Sequence, residues 1–232
     1  MLIAAISDIH GNKYALKSVL QSISREKVDY IVNCGDICGY YFDQNDVIDQ
    51  LREFRVVNEI LGNHDYAFLR TLSSDLPEGK AASNCCRSYS MLAKSITEEN
   101  LQTLKNLKRS FSMRFGDLLI NISHSGDPND LEVYFYEDSS LETLFEQDTN
   151  IVIYGHTHYA FAKQIANSKL IVNPGSVGQP RDGKPPSYAL IDTDTKKAEI
   201  VRVEYDTSEL KSDLARMSEV KGYRFQVIDR WR

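Results

Sequence analysis

The chain has no long apolar run: nothing in its 232 residues approaches the roughly 20 consecutive apolar residues of a membrane-spanning helix. It also lacks a basic excess. Lys and Arg number 27 against 33 Asp and Glu, a net charge of -6, so no global positive field exists to hold a long nucleic acid. The four cysteines, Cys34, Cys38, Cys85 and Cys86, have no zinc-ribbon spacing and no secretory context. They read as reduced thiols in a cytoplasmic protein. The apolar start Met1-Leu2-Ile3-Ala4-Ala5-Ile6 is short and has no basic residue before it. It reads as a buried first strand and not as a signal peptide. Repeats, low-complexity stretches and linkers are absent. What is present is an ordinary globular composition, 42% hydrophobic and 26% charged, which argues against disorder. The length suits one large α/β domain with a filled core, or two small ones.

Apolar runs alternate with helical periodicity along the first third of the chain. Leu2 to Ser7 is a strand covered on both faces, ending in Ser7-Asp8-Ile9-His10-Gly11-Asn12. Asp8 and His10 are two apart, so an extended backbone points both the same way. A helix follows, with Ala15, Leu16, Val19, Leu20 and Ile23 on one face. Tyr30 to Cys34 is a second strand, Asp43 to Phe54 a second helix, and Val56 to Leu61 a third strand. This order implies a parallel sheet with right-handed crossovers. Residues 66 to about 110 break the rhythm and read as a helical insertion, with a turn at Leu76-Pro77-Glu78-Gly79. Helical segments are expected near 83–95 and 97–107, the second capped by Thr97 with Glu98 and Glu99 in its first turn. Further strands are expected at Leu118–Ser123, Ile151–Tyr154 and Leu170–Asn173, with a short helix capped by Ser139 and Glu142. Tyr188–Asp192 and Ala198–Tyr205 form a hairpin, expected in a second, mostly antiparallel sheet, before a closing helix from Thr207 to about Val220.

The chain's five histidines, His10, His64, His124, His156 and His158, all fall at the ends of predicted strands. Open α/β sheets put their chemistry there. Asp8, Asp36 and Asn63 join them, giving seven nitrogen and oxygen ligand candidates beside His64. Imidazole, carboxylate and amide without thiolate suit Mn, Fe, Ni, Co or Zn. Seven ligands exceed what one tetrahedral ion needs, and two ions sharing a carboxylate would use them all.

The ordered blocks Asp8-x-His10, Gly35-Asp36, Gly62-Asn63-His64-Asp65, His124 and Gly155-His156-Thr157-His158 resemble the calcineurin-like metallophosphoesterase superfamily. The likeness spans roughly residues 3–181. Three stretches resemble a small prokaryotic branch of predicted phosphoesterases related to diadenosine tetraphosphatase: Gly35–Tyr40, His124–Pro128 and Asn173–Arg181. Ser125 departs from the branch, which usually has Gly there. The resemblance implies an α/β fold, a four-layer α/β/β/α sandwich of two mixed sheets flanked by helices. Residues 1–232 would form a single domain with the insertion at about 66–110. It implies two divalent transition-metal ions, manganese foremost, with Fe, Zn, Ni or Co as alternatives. Asp8, His10 and His158 would bind one ion, Asn63, His124 and His156 the other, and Asp36 would bridge them. A bridging hydroxide would attack phosphorus, and His64 would stabilise the transition state or protonate the leaving oxygen.

Other residues carry two readings. Asp65 is an orienting partner of His64 or a helix cap. Asn12 contacts phosphate or caps the first helix. Arg181 pairs with a phosphate or is a solvated loop residue. Tyr40, Tyr41 and Phe42, with Tyr134, Phe135 and Tyr136, line a base-stacking pocket or pack the core. The leading function is a phosphoesterase acting on a small phosphodiester or nucleotide. Alternatives are a phosphomonoesterase or protein phosphatase, a nucleic-acid exonuclease, and a non-catalytic scaffold like the retromer subunit of this fold. No membrane or long nucleic acid is expected as a partner, and the oligomeric state is open, a homodimer included.

Overall fold

The structure, a computed structural model, describes residues 1–54, 58–73, 86–141, 144, 149–165, 169–217, 222–228 and 230. Two mixed five-stranded sheets lie face to face. In the first, β1 (Leu2–Ile6), β2 (Tyr30–Asn33) and β3 (Asn58–Glu59) run parallel, and β9 (Ser187–Asp192) and β10 (Lys197–Arg202) continue antiparallel in the order β10-β9-β1-β2-β3. The second sheet has β4 (Ser110–Phe115), β5 (Leu118–Ser123), β6 (Ile151–Ile153), β8 (Lys169–Asn173) and β7 (Phe161–Ile165), in the order β4-β5-β6-β8-β7. The strands β5, β6 and β8 are parallel, with antiparallel β4 and β7 at the edges.

The pleat of β1 explains why its run is apolar throughout. Ile3 and Ala5 face the second sheet, meeting Ile120, Ile122, Ile151, Ile153 and Val172. Ala4 and Ile6 face the opposite way, toward α1 (Lys13–Ile23) and α2 (Gln44–Glu53), where Leu16, Val19, Leu20, Val47 and Leu51 are buried. Each such buried Leu or Ile contributes about 1.5–3 kcal/mol relative to exposure. The outer face of the second sheet presents Val152 and Ile171, covered by Leu141, Leu144 and Phe161.

The 66–110 region holds α3 (Asn63–Leu72), α4 (Cys86–Ser95) and α5 (Glu98–Lys105). The first of these opens inside the Gly62–Asp65 motif, three residues earlier than an insertion after it would. Thr97 caps α5 by accepting from the Asn100 N–H at 3.2 Å. Phe68, Tyr89, Leu92 and Leu104 belong to the same apolar cluster as α1 and α2.

Two expectations need correction. The Tyr188–Tyr205 hairpin is not in a second sheet; it extends the first, because β9 pairs antiparallel with β1, Ala5 against Ala189. Asp8 and His10 do not share an extended strand end, since β1 stops at Ile6 and both residues have positive φ, 53° and 51°. The edge strands β4 and β7 carry too many exposed polar residues to show as apolar runs, and α6 (Ser208–Arg216) is followed by a separate α7 (Tyr223–Ile228). Val56 and Val57 of the third strand, the Leu76–Gly79 turn, residues 83–85 of the next helix and Glu142 of the expected capping box lie outside the described residues.

Candidate metal centre

Loops at one end of both sheets carry all seven ligand candidates into one buried cluster. Asp8, His10, Asp36, His124, His156 and His158 are 3% exposed or less, while Asn63 and His64 are half-buried at the mouth. Five of these residues sit in the left-handed region: Asp8, His10, Asp36, His156 and His158, with φ between 51° and 66°. Non-glycine residues rarely adopt it, and strain of this kind persists where the surroundings over-determine it, often at functional sites. The close approach also demands glycine beside them. A Cβ on Gly62 would collide with Asp36 Oδ1, and one on Gly155 with Ser7 Oγ.

The donor atoms converge. His10 Nε2 lies 3.2 Å from His158 Nε2 and 3.8 Å from Asp8 Oδ1, and His158 Nε2 is 3.4 Å from Asp8 Oδ1. On the other side His124 Nε2 lies 3.0 Å from Asn63 Oδ1 and 3.2 Å from His156 Nδ1. Asp36 Oδ2 is 3.6 Å from His10 Nε2 and 3.4 Å from His124 Nε2. Ligands at about 2.0–2.2 Å from a shared ion are themselves about 3.0–3.5 Å apart, close to the spacing found. Asp8 Oδ1 and Asp36 Oδ2 are buried with no hydrogen-bond partner among the described residues. Two unsatisfied carboxylate oxygens at such depth are costly unless a cation meets them, so the residues fit a metal.

Backbone carbonyls fix the rings. His10 Nδ1 bonds to the Cys38 carbonyl at 2.8 Å, His124 Nδ1 to that of Cys34 at 2.7 Å, and His158 Nδ1 to that of Gln179 at 2.6 Å. Each contact holds the proton on Nδ1 and turns Nε2 toward the cluster. Cys34 and Cys38 thus serve through their carbonyls, and burial pushes both thiols up and keeps them protonated. Asn63 turns its amide nitrogen outward to Glu132 Oε1 at 3.4 Å, leaving its oxygen inward. Burial drives His10 and His156 down to about 3 and His158 well below its ordinary value, so these imidazoles are neutral. Burial lowers His124 too, but the Asp36 charge outweighs it and holds His124 at about 10. Asp36 would rise by burial, yet the charges of His124 and His64 keep it well below the carboxylate range. Burial raises Asp8 to about 7 despite His124 nearby. An arriving cation would displace the proton on His124.

The Asn173–Arg181 stretch braces these loops. Asn173 Nδ2 donates to the Gly155 carbonyl at 2.7 Å, and Ser176 Oγ to the Asp8 carbonyl at 2.7 Å. Val177 and Gly178 donate backbone N–H to Ser7 and Asp8. The His156 N–H bonds Asp8 Oδ2 at 3.0 Å, so the two sheets are laced together where the ligands meet. Ser125, the departure from the branch pattern, donates to the carbonyls of Asp127 and Asp130 and so ties its own loop.

Asn12 and Asp65 take the capping role of the two weighed for each. Asn12 is fully buried: its oxygen caps α1 through Ala15 N–H at 3.1 Å, and its nitrogen donates to the Gly178 carbonyl and Tyr205 hydroxyl. It faces the core and not a substrate. Asp65 accepts the N–H groups of Asp36, Cys38 and Gly62 at 2.9, 2.8 and 3.0 Å, so it shapes the Asp36 loop and the start of α3 and does not orient His64. His64 Nδ1 instead meets the Tyr89 hydroxyl at 2.6 Å. Nothing in the sequence pointed to Tyr89, which lies 25 residues away on α4. Tyr41 is core, fully buried. Arg181 stays at the mouth, its guanidinium on the Tyr40 hydroxyl and Gln179 Oε1, both at 3.1 Å. His64 also places a ring nitrogen within 4.8 Å of the His10 and Asp36 donor atoms, and its N–H bonds Asp36 Oδ1 at 2.9 Å.

Asp65→Ala should destabilise the metal-free protein by about 3 kcal/mol or more, since three buried N–H groups lose their acceptor at about 1–3 kcal/mol each. Urea unfolding measures this, and a loss under about 1 kcal/mol would show that the three bonds are dispensable.

Residues 1–196 match the family model of the calcineurin-like phosphoesterase superfamily domain. The chain belongs to that superfamily. It is a metal-dependent phosphoesterase. The phosphoesterase is 32% identical to the uncharacterized protein MJ0912 of Methanocaldococcus jannaschii, over 88% of each chain. A 61-residue stretch, 26% of this chain and 32% of the relative, is 36% identical to phosphodiesterase YfcE of Escherichia coli K12. The crystal structure of a metallophosphoesterase from Sphaerobacter thermophilus matches it with a TM-score of 0.77 at 26% identity, covering 100% of this chain and 99% of that one. Among the described residues, no helix is long and apolar enough to cross a membrane.

Proposed function

We propose that the phosphoesterase holds two divalent transition-metal ions and hydrolyses a P–O bond of a small phosphodiester or nucleotide. One observation carries this reading. Two donor sets, Asp8–His10–His158 and Asn63–His124–His156, flank a single carboxylate whose Oδ2 lies within 3.6 Å of a histidine from each. When bound, the ions would supply the charge that makes water nucleophilic at neutral pH and offsets charge on the phosphoryl oxygens. The chain's own residues do the rest. Asp36 holds the two sets together and anchors the His64 N–H. His64, half-buried at the mouth, is placed to meet the leaving oxygen or an equatorial phosphoryl oxygen. Arg181 offers a guanidinium to the phosphate from the opposite loop. The scaffold reading would need a ligand to be missing, and all seven are present.

Elemental analysis of the protein reconstituted with Mn should find two ions per chain, and chelation should abolish turnover. At most one ion after reconstitution would overturn the two-metal reading. A metal-supplemented screen of phosphodiesters, nucleotides, phosphomonoesters and phosphoproteins, with Asp36→Asn as the blank, tests the substrate class. Turnover confined to phosphoproteins would overturn it.

A further inference from the structure

A row of rings leads outward from the metal centre. Tyr134 lies against His156, with centroids 4.1 Å apart and planes 37° apart. Tyr136 follows, nearly parallel to Tyr134 at 15° and 6.3 Å, and Tyr159 meets Tyr136 edge to face at 5.7 Å. These three rings are 47%, 39% and 42% exposed. Packing does not account for them, because the ring between the first two, Phe135, turns inward against the core under the second sheet. The segment is held in that pose: Tyr154 Oη donates to the Phe135 carbonyl at 3.1 Å and Lys163 Nζ to that of Glu137 at 2.7 Å. Beside the row lies a cavity of about 720 Å³, lined by Tyr136, Tyr159, Phe161 and Lys163, with Glu137 and Asp138 at its rim.

The chemistry of this surface selects a neutral planar group. Exposed, aligned aromatic faces stack on bases without regard to their identity. The charges around them exclude a polyanion: Glu132, Glu137 and Asp138 are exposed beside the rings, and they would repel a run of phosphates. Arg181, the cation proposed for the phosphate, is held at the mouth of the metal centre on the Tyr40 hydroxyl and Gln179 Oε1, both at 3.1 Å, so a phosphoryl group there leaves the rings to the rest of the substrate. We infer that Tyr134, Tyr136 and Tyr159 form a stacking subsite for the nucleobase of a short nucleotide substrate whose phosphoryl group sits at the metal centre. The inference rests on the small-phosphoester reading above, and narrows it to substrates with a base.

The test compares two ligands that differ only in the base: AMP and ribose 5-phosphate, each with its bridging oxygen replaced by methylene so that neither is cleaved. Calorimetric titration of the Mn-reconstituted protein should show the AMP analogue binding about ten- to a hundredfold tighter, the range one or two stacked contacts provide. Tyr134→Ala/Tyr136→Ala should erase that difference while leaving ribose 5-phosphate analogue affinity within about twofold, and Tyr134→Phe/Tyr136→Phe should keep it, since the π face is retained. Equal affinities in the unaltered protein would overturn the inference, as would loss of both ligands equally in a variant whose circular dichroism is unchanged. Because this readout is binding, it is separate from turnover. A base preference with no hydrolysis of any phosphoester would spare the subsite and sink the proposed function, and hydrolysis without a base preference would do the reverse.

Discussion

Asp36→Asn is expected to lower turnover roughly a thousandfold or more, because a bound cation's charge stabilisation is worth several kcal/mol and about 1.4 kcal/mol is tenfold in rate. The substitution keeps the shape of the side chain. Its oxygen can still accept the His64 N–H, which Asp36 Oδ1 now does at 2.9 Å. What it loses is the charged Oδ2 that stands 3.6 Å from His10 Nε2 and 3.4 Å from His124 Nε2. An amide nitrogen in that place would turn N–H donors toward both ligand sets and neutralise no cation. Metal content measured after dialysis should fall at both positions together. The fold should survive, since Asp36 makes no core contact that asparagine cannot make, and thermal unfolding of the metal-free variant checks this. If the variant kept two ions and lost only a few-fold in rate, Asp36 would not be the bridge, and the two sets would have to be held independently.

The ligands were legible in the sequence because each closes an apolar run, and runs are what periodicity reads. The parallel strands β1, β2, β5, β6 and β8 showed themselves for the same reason: both faces are covered, so nearly every residue is apolar. The edges were not legible. β4 reads Ser-Phe-Ser-Met-Arg-Phe and β7 Phe-Ala-Lys-Gln-Ile, sequences that half-face solvent and resemble loops until a partner strand is known. The placement of the β9–β10 hairpin is a long-range matter, decided by Ala5 meeting Ala189 across most of the chain. Within the site, residue types told which atoms could bind a cation but not how the loops bring them there. The positive φ angles of Asp8, His10, Asp36, His156 and His158 were not legible, since none is glycine and Asp and His adopt that region only in a minority of cases. Asp65 and Tyr89 show the other limit. A carboxylate beside a histidine suggests a pair, yet here the carboxylate serves three backbone N–H groups and a tyrosine from another helix serves the ring.

His64→Ala separates binding from chemistry. His64 is proposed to touch the phosphoryl group or leaving oxygen and to hold no metal, so the variant should keep both ions and near-wild-type stability. It should lose turnover by roughly 10²–10⁴, the range for a general acid or a single charge-stabilising donor. The contact with Tyr89 shapes the expectation further. The Tyr89 hydroxyl meets Nδ1 at 2.6 Å; a general-acid His64 requires that hydroxyl to donate, so that the ring proton is on Nε2, the nitrogen from which a leaving oxygen would take it. Tyr89→Phe removes that hydroxyl and keeps the ring that packs near Phe68, centroids 6.2 Å apart. Its loss should be smaller than that of His64→Ala, should appear in kcat more than in KM, and should vanish in the His64→Ala background, because a positioning contact has nothing left to position. A leaving-group series divides the two roles of His64. With p-nitrophenolate, which departs without protonation, His64→Ala should cost little; with an alkoxide it should cost the full amount. An equal loss for both would assign His64 to the equatorial oxygens and remove the general-acid role while the phosphoesterase stands. Loss of an ion from the variant would instead place His64 among the ligands, the arrangement its approach within 4.8 Å of the His10 and Asp36 donors makes sterically open, and the division between ligands and catalyst would fall.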